Sequence, residues 1–271
     1  MGILEPTLTP FKGKVITVAG ASRGTGLATV KYLVLRGATV SMSSSSPKGI
    51  ANAHAEVLKE CPGSDERIMA MTCDITNYEE VQAWIAATMK RFGRIDGCAN
   101  VSAIGKEQRK LFPLTELPIE DYKEIMDVNV NGLFYLLREQ MKVISEGGSI
   151  VNVGSVCSSF SSPYYGAYIA SKHGAASLTK GAAFEGAARG VRVNSLNPGT
   201  INSEMTSTPF ELPDGGTFTP SAQTIPQLIK RMAEPEEIAA SICFLLGDES
   251  KFVTRSEWRV DGGWLEGSLT G

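Results

Sequence analysis

The sequence has 271 residues, of which 42% are hydrophobic and 20% are charged, and its formal net charge is −3. This length and balance fit one globular domain over 1–271 with a sizeable buried core, which excludes disordered and fibrous proteins. Because no long run of one charge sign is present, the composition also argues against nucleic acid and anionic membranes as partners and favours a small-molecule substrate.

Predicted strands and helices alternate along the whole chain. In the first part the predicted elements are a strand at 14–20, a helix at 27–36, a strand at 38–42, a helix at 49–60, a strand at 67–73, a helix at 78–91 and a strand at 95–101. In the second part they are a helix at 119–144, a strand at 149–154, a helix at 165–188, a strand at 191–196, a helix at 235–246 and a strand at 257–260. Since strands separated by helices cannot pair as hairpins, the alternation predicts a doubly wound (Rossmann), mostly parallel seven-stranded α/β sheet.

The alternation lapses between residues 198 and 235, where prolines and glycines interrupt a polar stretch. A long irregular insert in a compact domain is usually functional, so this segment is predicted to be a substrate lid. Its side chains Met205, Phe210 and Phe218 either line an apolar pocket or pack within the lid itself.

Three glycines, Gly20, Gly24 and Gly26, directly follow the first predicted strand. Glycines at this spacing permit a tight turn and close approach of a phosphate to the next helix, whose N-terminus attracts anions. A glycine triplet also fits an ordinary strand-to-helix turn, but its position after the first strand favours a dinucleotide-binding loop.

The end of the second predicted strand carries four serines at 43–46, where NAD-binding proteins place an acidic residue against the ribose. Hydroxyl groups with Arg23 and Lys48 as nearby cations are suited to a 2′-phosphate, so NADP(H) is the predicted cofactor. The alternative is that Arg23 and Lys48 are solvated surface charges.

Tyr168 and Lys172 are four residues apart, which places them on one face of a predicted helix. An ammonium beside a phenol is expected to lower the phenol's pKa, and this makes Tyr168 a candidate acid/base. Ser155, at the end of the fifth predicted strand, is a candidate to bind the substrate oxygen.

With these motifs the chain resembles the short-chain dehydrogenase/reductase family from Gly13 to Gly263. Further motif matches are Asp74, Asn129, the turn at 197–203 and the closing Asp-Gly-Gly at 261–263. The resemblance implies that Lys172 also holds the nicotinamide ribose, that Asn129 supports a water-linked proton relay, and that Asp74 lies against the adenine. Taken alone, Asn129 equally fits a helix residue bonding backbone, and Asp74 a turn-forming residue.

The resemblance therefore implies a catalytic tetrad of Asn129, Ser155, Tyr168 and Lys172. The residues expected to contact the cofactor are Gly20, Ser22, Arg23, Gly24, Thr25, Gly26, Ser44, Ser45, Asp74, Ile75, Asn100, Tyr168, Lys172, Pro198, Gly199, Ile201 and Ser203. The substrate is expected to contact Cys157, Tyr165 and Met205.

The chain departs from the family's Asn-Asn-Ala-Gly motif, which is here Asn-Val-Ser-Ala at 100–103. Since Ala103 adopts left-handed geometry less freely than glycine, a modest shift of this loop is expected. Thr25 also replaces the family's usual apolar residue. The variant resembles fungal members that tailor natural products.

The five cysteines are scattered, form no Cys-x-x-Cys pair and are accompanied by only two histidines. They indicate neither a disulfide framework nor a metal site, and they favour a reducing compartment. With no signal-type segment at the N-terminus and no apolar run of membrane-spanning length, a cytoplasmic protein is predicted.

The sequence thus predicts an NADP(H)-dependent oxidoreductase, a ketoreductase acting on the carbonyl or secondary alcohol of a small hydrophobic substrate, with polycyclic natural products of secondary metabolism as one class. A non-redox cyclase or isomerase, or a nucleotide-sensing protein, remains the alternative. The resemblance also implies a homo-oligomer, either a tetramer or a dimer, built on the long helices at 119–144 and 165–188.

Overall fold

The computed structural model of the chain describes residues 9–105 and 110–264. Its nine strands are β1 (Val15–Ala19), β2 (Thr39–Ser44), β3 (Ile68–Thr72), β4 (Ile95–Asn100), β5 (Ile144–Val153), β6 (Arg192–Pro198), β7 (Phe210–Glu211), β8 (Thr217–Phe218) and β9 (Glu257–Val260). Seven of them form one parallel sheet in the order β3-β2-β1-β4-β5-β6-β9. The central strands are buried along their whole length because helices cover both faces.

The helices are α1 (Gly24–Leu35), α2 (Pro47–Glu60), α3 (Tyr78–Phe92), α4 (Ile119–Met126), α5 (Leu133–Val143), α6 (Gly166–Gly186), α7 (Glu204–Ser207) and α8 (Pro235–Leu246). One core cluster packs α1, α2 and α8 on one face of the sheet, and a second packs α3, α5 and α6 on the other. The predicted doubly wound seven-stranded sheet is confirmed. Within the described ranges, no helix has both the length and the apolar character needed to cross a membrane.

The prediction of one long helix over 119–144 is wrong in two places. A π-helical turn, Asp127–Gly132, separates α4 from α5, and Ile144 already belongs to β5, where it pairs with Ile95. The register then shifts before Ser149 pairs with Gly97, and Gly147 in this irregular stretch has a φ of 70°. Gly147 and Gly148, which lie between the predicted helix and the predicted strand, therefore belong to an irregular strand.

The segment at 198–235 that is predicted to be a lid, called the lid below, contains more regular structure than its composition suggested. The strands β7 and β8 form a short antiparallel hairpin in which Phe210 pairs with Phe218. The hairpin is attached to the segment before α4, because the Leu111 N–H donates to the Glu211 carbonyl at 2.8 Å and the Lys110 ammonium lies 3.0 Å from the Glu211 carboxylate.

Candidate active site

A cleft of about 1810 Å³ opens at the carboxyl ends of the parallel strands, next to the point where the strand order reverses between β1 and β4. It is larger than a pocket for one small ligand and has room for a dinucleotide and a substrate. Of the expected cofactor residues, all but one line it: Gly20, Ser22, Arg23, Gly24, Thr25, Gly26, Ser44, Ser45, Asp74, Ile75, Tyr168, Lys172, Pro198, Gly199, Ile201 and Ser203.

The loop between β1 and α1 fits a pyrophosphate. Gly20 has a φ of 80°, and a Cβ there would lie 2.7 Å from the Ser102 nitrogen. A Cβ on Gly26 would lie 2.0 Å from the Gly20 oxygen, so neither position tolerates a side chain. Arg23 precedes α1 without a side-chain cap, which leaves the first N–H groups of the helix for an anion.

The end of β2 forms a hydroxyl-rich wall next to this loop. The Ser44 hydroxyl donates to the Ser22 hydroxyl at 3.0 Å, and Ser46 caps α2 by accepting the Gly49 N–H at 3.0 Å. No acidic residue occurs between 39 and 55, so this segment holds no carboxylate next to the serines.

The two cations expected beside these serines are placed differently. The Arg23 guanidinium lies across the cleft, with Nη1 2.6 Å from Oε2 of Glu204 on the lid. Lys48 is exposed and is not among the cleft-lining residues. The alternative of a solvated surface charge therefore holds for Lys48, whereas Arg23 lines the cleft with an acidic partner.

Asp74 lines the cleft and also forms the turn after β3. One oxygen of its carboxylate, Oδ1, accepts the backbone N–H of Thr76 at 2.9 Å and the Thr76 hydroxyl at 2.8 Å. The turn-forming interpretation is therefore realised in the structure. A contact to adenine stays a prediction.

The structure brings Ser155, Tyr168 and Lys172 together. Ser155 follows β5, and its hydroxyl lies near enough to the phenol of Tyr168 on α6 to influence the pKa of that phenol. The Lys172 ammonium lies 5.5 Å from the centroid of the Tyr168 ring and donates to the Val153 carbonyl at 3.2 Å. The predicted common helix face is confirmed, because spacing of four residues aligns both side chains toward the end of β5.

The expected lowering of the Tyr168 pKa is wrong for this structure. Burial raises the pKa of Tyr168 above its ordinary value, with a smaller contribution from Cys157, and only the nearby Ser155 hydroxyl opposes it. Burial also lowers the pKa of Lys172 to about 8. The low-polarity surroundings favour the neutral form of each group, and the phenol stays protonated at neutral pH, ready to act as a proton donor.

Asn129 lies in the π-helical turn and is buried. Its amide donates to the Ile104 carbonyl at 2.9 Å and to the Ser171 hydroxyl at 3.0 Å, and its oxygen accepts the Ile104 N–H at 2.8 Å. The side chain does not line the cleft. Asn129 therefore joins the loop after β4 to α6, which is the backbone-bonding interpretation; its part in a proton relay stays a prediction.

Asn100 is the one expected cofactor residue that does not line the cleft. Its amide group donates to Gln140 at 2.9 Å and Asn152 at 2.8 Å, and its oxygen accepts from Gln140 at 2.8 Å. Because the side chain of Asn100 is hydrogen-bonded to these buried partners, it is not free to contact a cofactor as expected.

The sequence analysis did not identify one residue of the loop after β5. Ser158 is buried, and its hydroxyl accepts the Ser155 backbone N–H at 3.2 Å, while the Ser155 hydroxyl accepts the Cys157 N–H at 3.1 Å. The two serines form a reciprocal capping box that fixes the turn after β5. The signal was present as a Ser-x-x-Ser pattern directly after a strand.

Aromatic rings connect Tyr168 with the segment predicted to be a lid. Tyr165 packs edge-on against Tyr168 with centroids 6.3 Å apart, and Phe210 lies 5.9 Å from Tyr165 and 6.5 Å from Phe218. Both phenylalanines line the cleft and contact each other, so both interpretations of these residues hold.

Of the other expected substrate residues, Cys157 lines the cleft. Met205 belongs to α7, and its side chain lies outside the described part of the chain.

The chain is similar to a known family and to named proteins along most of its length. The family model described as enoyl-(acyl carrier protein) reductase matches residues 20–265. The short-chain dehydrogenase/reductase ABA4 of Pyricularia oryzae is 35% identical over 95% of this chain and 94% of its own length. The 2,5-dichloro-2,5-cyclohexadiene-1,4-diol dehydrogenase of Sphingobium indicum is 34% identical over 95% of this chain and 99% of its own length.

Solved structures are also similar to this chain over nearly its full length. Levodione reductase superposes with a TM-score of 0.81 at 28% identity, covering 93% of this chain and 97% of its own. A blue fluorescent protein from a metagenomic library, in complex with NADPH, has a TM-score of 0.81 at 26% identity, covering 96% of this chain and 99% of its own. The protein belongs to the short-chain dehydrogenase/reductase family of oxidoreductases.

Proposed function

We propose that the protein transfers a hydride between NADP(H) and the carbonyl or secondary-alcohol carbon of a small hydrophobic substrate. The observation that carries this proposal is the cluster of Ser155, Tyr168 and Lys172 in the same cleft as the glycine loop at 20–26. A proton donor and a dinucleotide-type loop in one cleft are what reduction of a carbonyl requires.

The residues have separate parts in this reaction. A nicotinamide cofactor, when bound beside Tyr168 and Lys172, would supply or accept the hydride. The hydroxyls of Ser155 and Tyr168 bind the substrate oxygen, and Tyr168, protonated at neutral pH, donates its proton to that oxygen. The Lys172 ammonium stabilises negative charge that develops on the phenol and holds the nicotinamide ribose, and Asn129 supports the return of the proton.

The preference for NADP(H) over NAD(H) is supported by the wall formed by Ser44 and Ser45. Without a carboxylate between 39 and 55, this wall offers hydroxyls to the 2′-phosphate and no repelling charge. A solved relative also binds NADPH. The expected result is a lower dissociation constant for NADPH than for NADH in fluorescence titration of the wild-type protein.

The substrate is proposed to be a hydrophobic cyclic ketone or alcohol, with polycyclic natural products included. The aromatic rings of Tyr165, Phe210 and Phe218 offer flat apolar surface directly beyond Tyr168. Names of relatives point the same way, since one acts on a chlorinated cyclohexadienediol and another is a levodione reductase.

We also propose that the chain forms a tetramer or dimer in the cytoplasm. The exposed apolar side chains Ile119, Phe134 and Phe184 lie on α4, α5 and α6, outside the surface that the sheet covers. All five cysteines are free, which suits a reducing compartment.

The decisive experiment separates an oxidoreductase from a cyclase, an isomerase or a nucleotide sensor. Tyr168→Phe keeps the ring and removes the proton donor, so reduction of cyclic ketones should slow by roughly 10²–10⁴-fold while NADPH still binds. Tyr122→Phe, at an exposed tyrosine outside the cleft, is the matched control and should react at the parent rate. Turnover by Tyr168→Phe at the parent rate would show that Tyr168 has another role.

A further inference from the structure

An ion pair joins the two walls of the cofactor part of the cleft. Arg23 belongs to the glycine loop before α1, and Glu204 begins α7 in the lid. Their side chains meet at 2.6 Å although they are 181 residues apart in the chain. Both line the cleft, and both side chains are well exposed, at 73% and 74%.

The backbone of Arg23 lies next to the site where the 2′-phosphate of NADP(H) is expected. The residue before it, Ser22, is hydrogen-bonded through its hydroxyl to Ser44 at the end of β2. Arg23 is therefore the cation of the glycine loop next to the serine wall, yet its guanidinium pairs with the lid carboxylate. A planar guanidinium binds a phosphate and a carboxylate with the same N–H groups, so the two anions compete for it.

We propose that Glu204 is a specificity-determining residue that weakens the preference for NADP(H) by occupying Arg23. This inference rests on the proposed use of NADP(H). When NADPH binds, its 2′-phosphate takes over the guanidinium that Glu204 holds in the free protein. NADH carries no 2′-phosphate and leaves the pair in place, so the cost of opening the pair falls on NADPH alone.

The size of the effect follows from the exposure of the pair. Ion pairs between exposed side chains are weak, because water and salt screen them. Removing the carboxylate while keeping the side-chain shape, as in Glu204→Gln, should therefore tighten NADPH binding relative to NADH binding by roughly two- to fivefold. The carboxylate also repels the pyrophosphate of both cofactors, and the ratio of the two dissociation constants removes that shared contribution.

The test is a double-mutant cycle on the full-length protein without substrate. Dissociation constants for NADPH and NADH are measured by fluorescence titration at low salt for the wild type, Glu204→Gln, Arg23→Gln and the double variant. We expect the ratio of the NADH constant to the NADPH constant to rise in Glu204→Gln and to fall in Arg23→Gln. In the Arg23→Gln background, the Glu204→Gln substitution should leave the ratio unchanged.

The matched control is Glu211→Gln, which removes a lid carboxylate whose partner is Lys110. This variant should leave the ratio unchanged. Equal weakening of both cofactors by Glu204→Gln would overturn the proposal, because the pair would then only fasten the lid. A ratio that rises equally in the Arg23→Gln background would also overturn it, because the effect would not act through Arg23. If the wild-type protein bound neither cofactor, the proposed function itself would fail, which is a different result.

Discussion

Replacing Lys172 with methionine is predicted to stabilise the cofactor-free protein while removing its activity. The ammonium of Lys172 is buried, and burial lowers its pKa from an ordinary value of 10.5 to about 8. This lower pKa corresponds to a loss of about 3 kcal/mol in the free energy of unfolding at neutral pH. Methionine has similar length and no charge, and the variant gives up one hydrogen bond, from Nζ to the Val153 carbonyl, of about 1 kcal/mol.

The net gain of about 2 kcal/mol should raise the melting temperature by roughly 3–4 °C in a domain of this size. Its pH dependence has a definite sign. Below about 8 the lysine is charged in both states, so the wild type carries the full penalty. Between about 8 and 10.5 the folded protein binds fewer protons at this site than the unfolded chain, so wild-type stability rises and the advantage of the variant shrinks.

The assay is thermal unfolding of both proteins without cofactor at about pH 7 and about pH 10, with NADPH oxidation measured in parallel. Lys59→Met, at an exposed lysine on α2, is the matched control and should change neither melting temperature nor activity. A Lys172→Met variant that melts at or below the wild-type temperature at neutral pH, or whose gain does not depend on pH, would refute the reasoning.

Two further predictions concern the catalytic loop and the assembly. Ser158→Ala removes the acceptor of the Ser155 N–H, so kcat should fall roughly 10- to 100-fold while the NADPH dissociation constant is unchanged. The control variant is Ser159→Ala, at an exposed serine of the same loop. Equal kcat values in the two variants would contradict the positioning role of Ser158. Light scattering of the wild type should give a particle larger than one chain, and Phe184→Glu on α6 should reduce it; a strict monomer at micromolar concentration would exclude the proposed assembly.

Features encoded over short stretches of chain were predictable from the sequence. The strands of the parallel sheet follow from apolar runs bounded by turns, and the common face of Tyr168 and Lys172 follows from helical spacing alone. The glycine loop was predictable because Gly20 and Gly26 stand where no Cβ fits. In each case the decisive geometry lies within one strand, one turn or one helix.

Features set by contacts between distant segments were not predictable. Arg23 finds Glu204 across the cleft, and Asn129 bonds Ser171 from 42 residues away. The side chain of Asn100 was expected at the cofactor, but Gln140 and Asn152 hold it within the protein. A local sequence pattern indicates that a polar residue has a function or a buried position. The hydrogen-bond partner of that residue depends on how distant elements pack together.

The pKa values of Tyr168 and Lys172 also depend on both local spacing and the packing of the whole domain. Spacing alone brings an ammonium beside a phenol and suggests a lowered phenol pKa, but packing of the whole domain buries both groups. Burial acts on each group separately and favours its uncharged form, which raises the pKa of Tyr168 and lowers that of Lys172. A buried, protonated phenol suits donation of a proton to a reduced carbonyl oxygen.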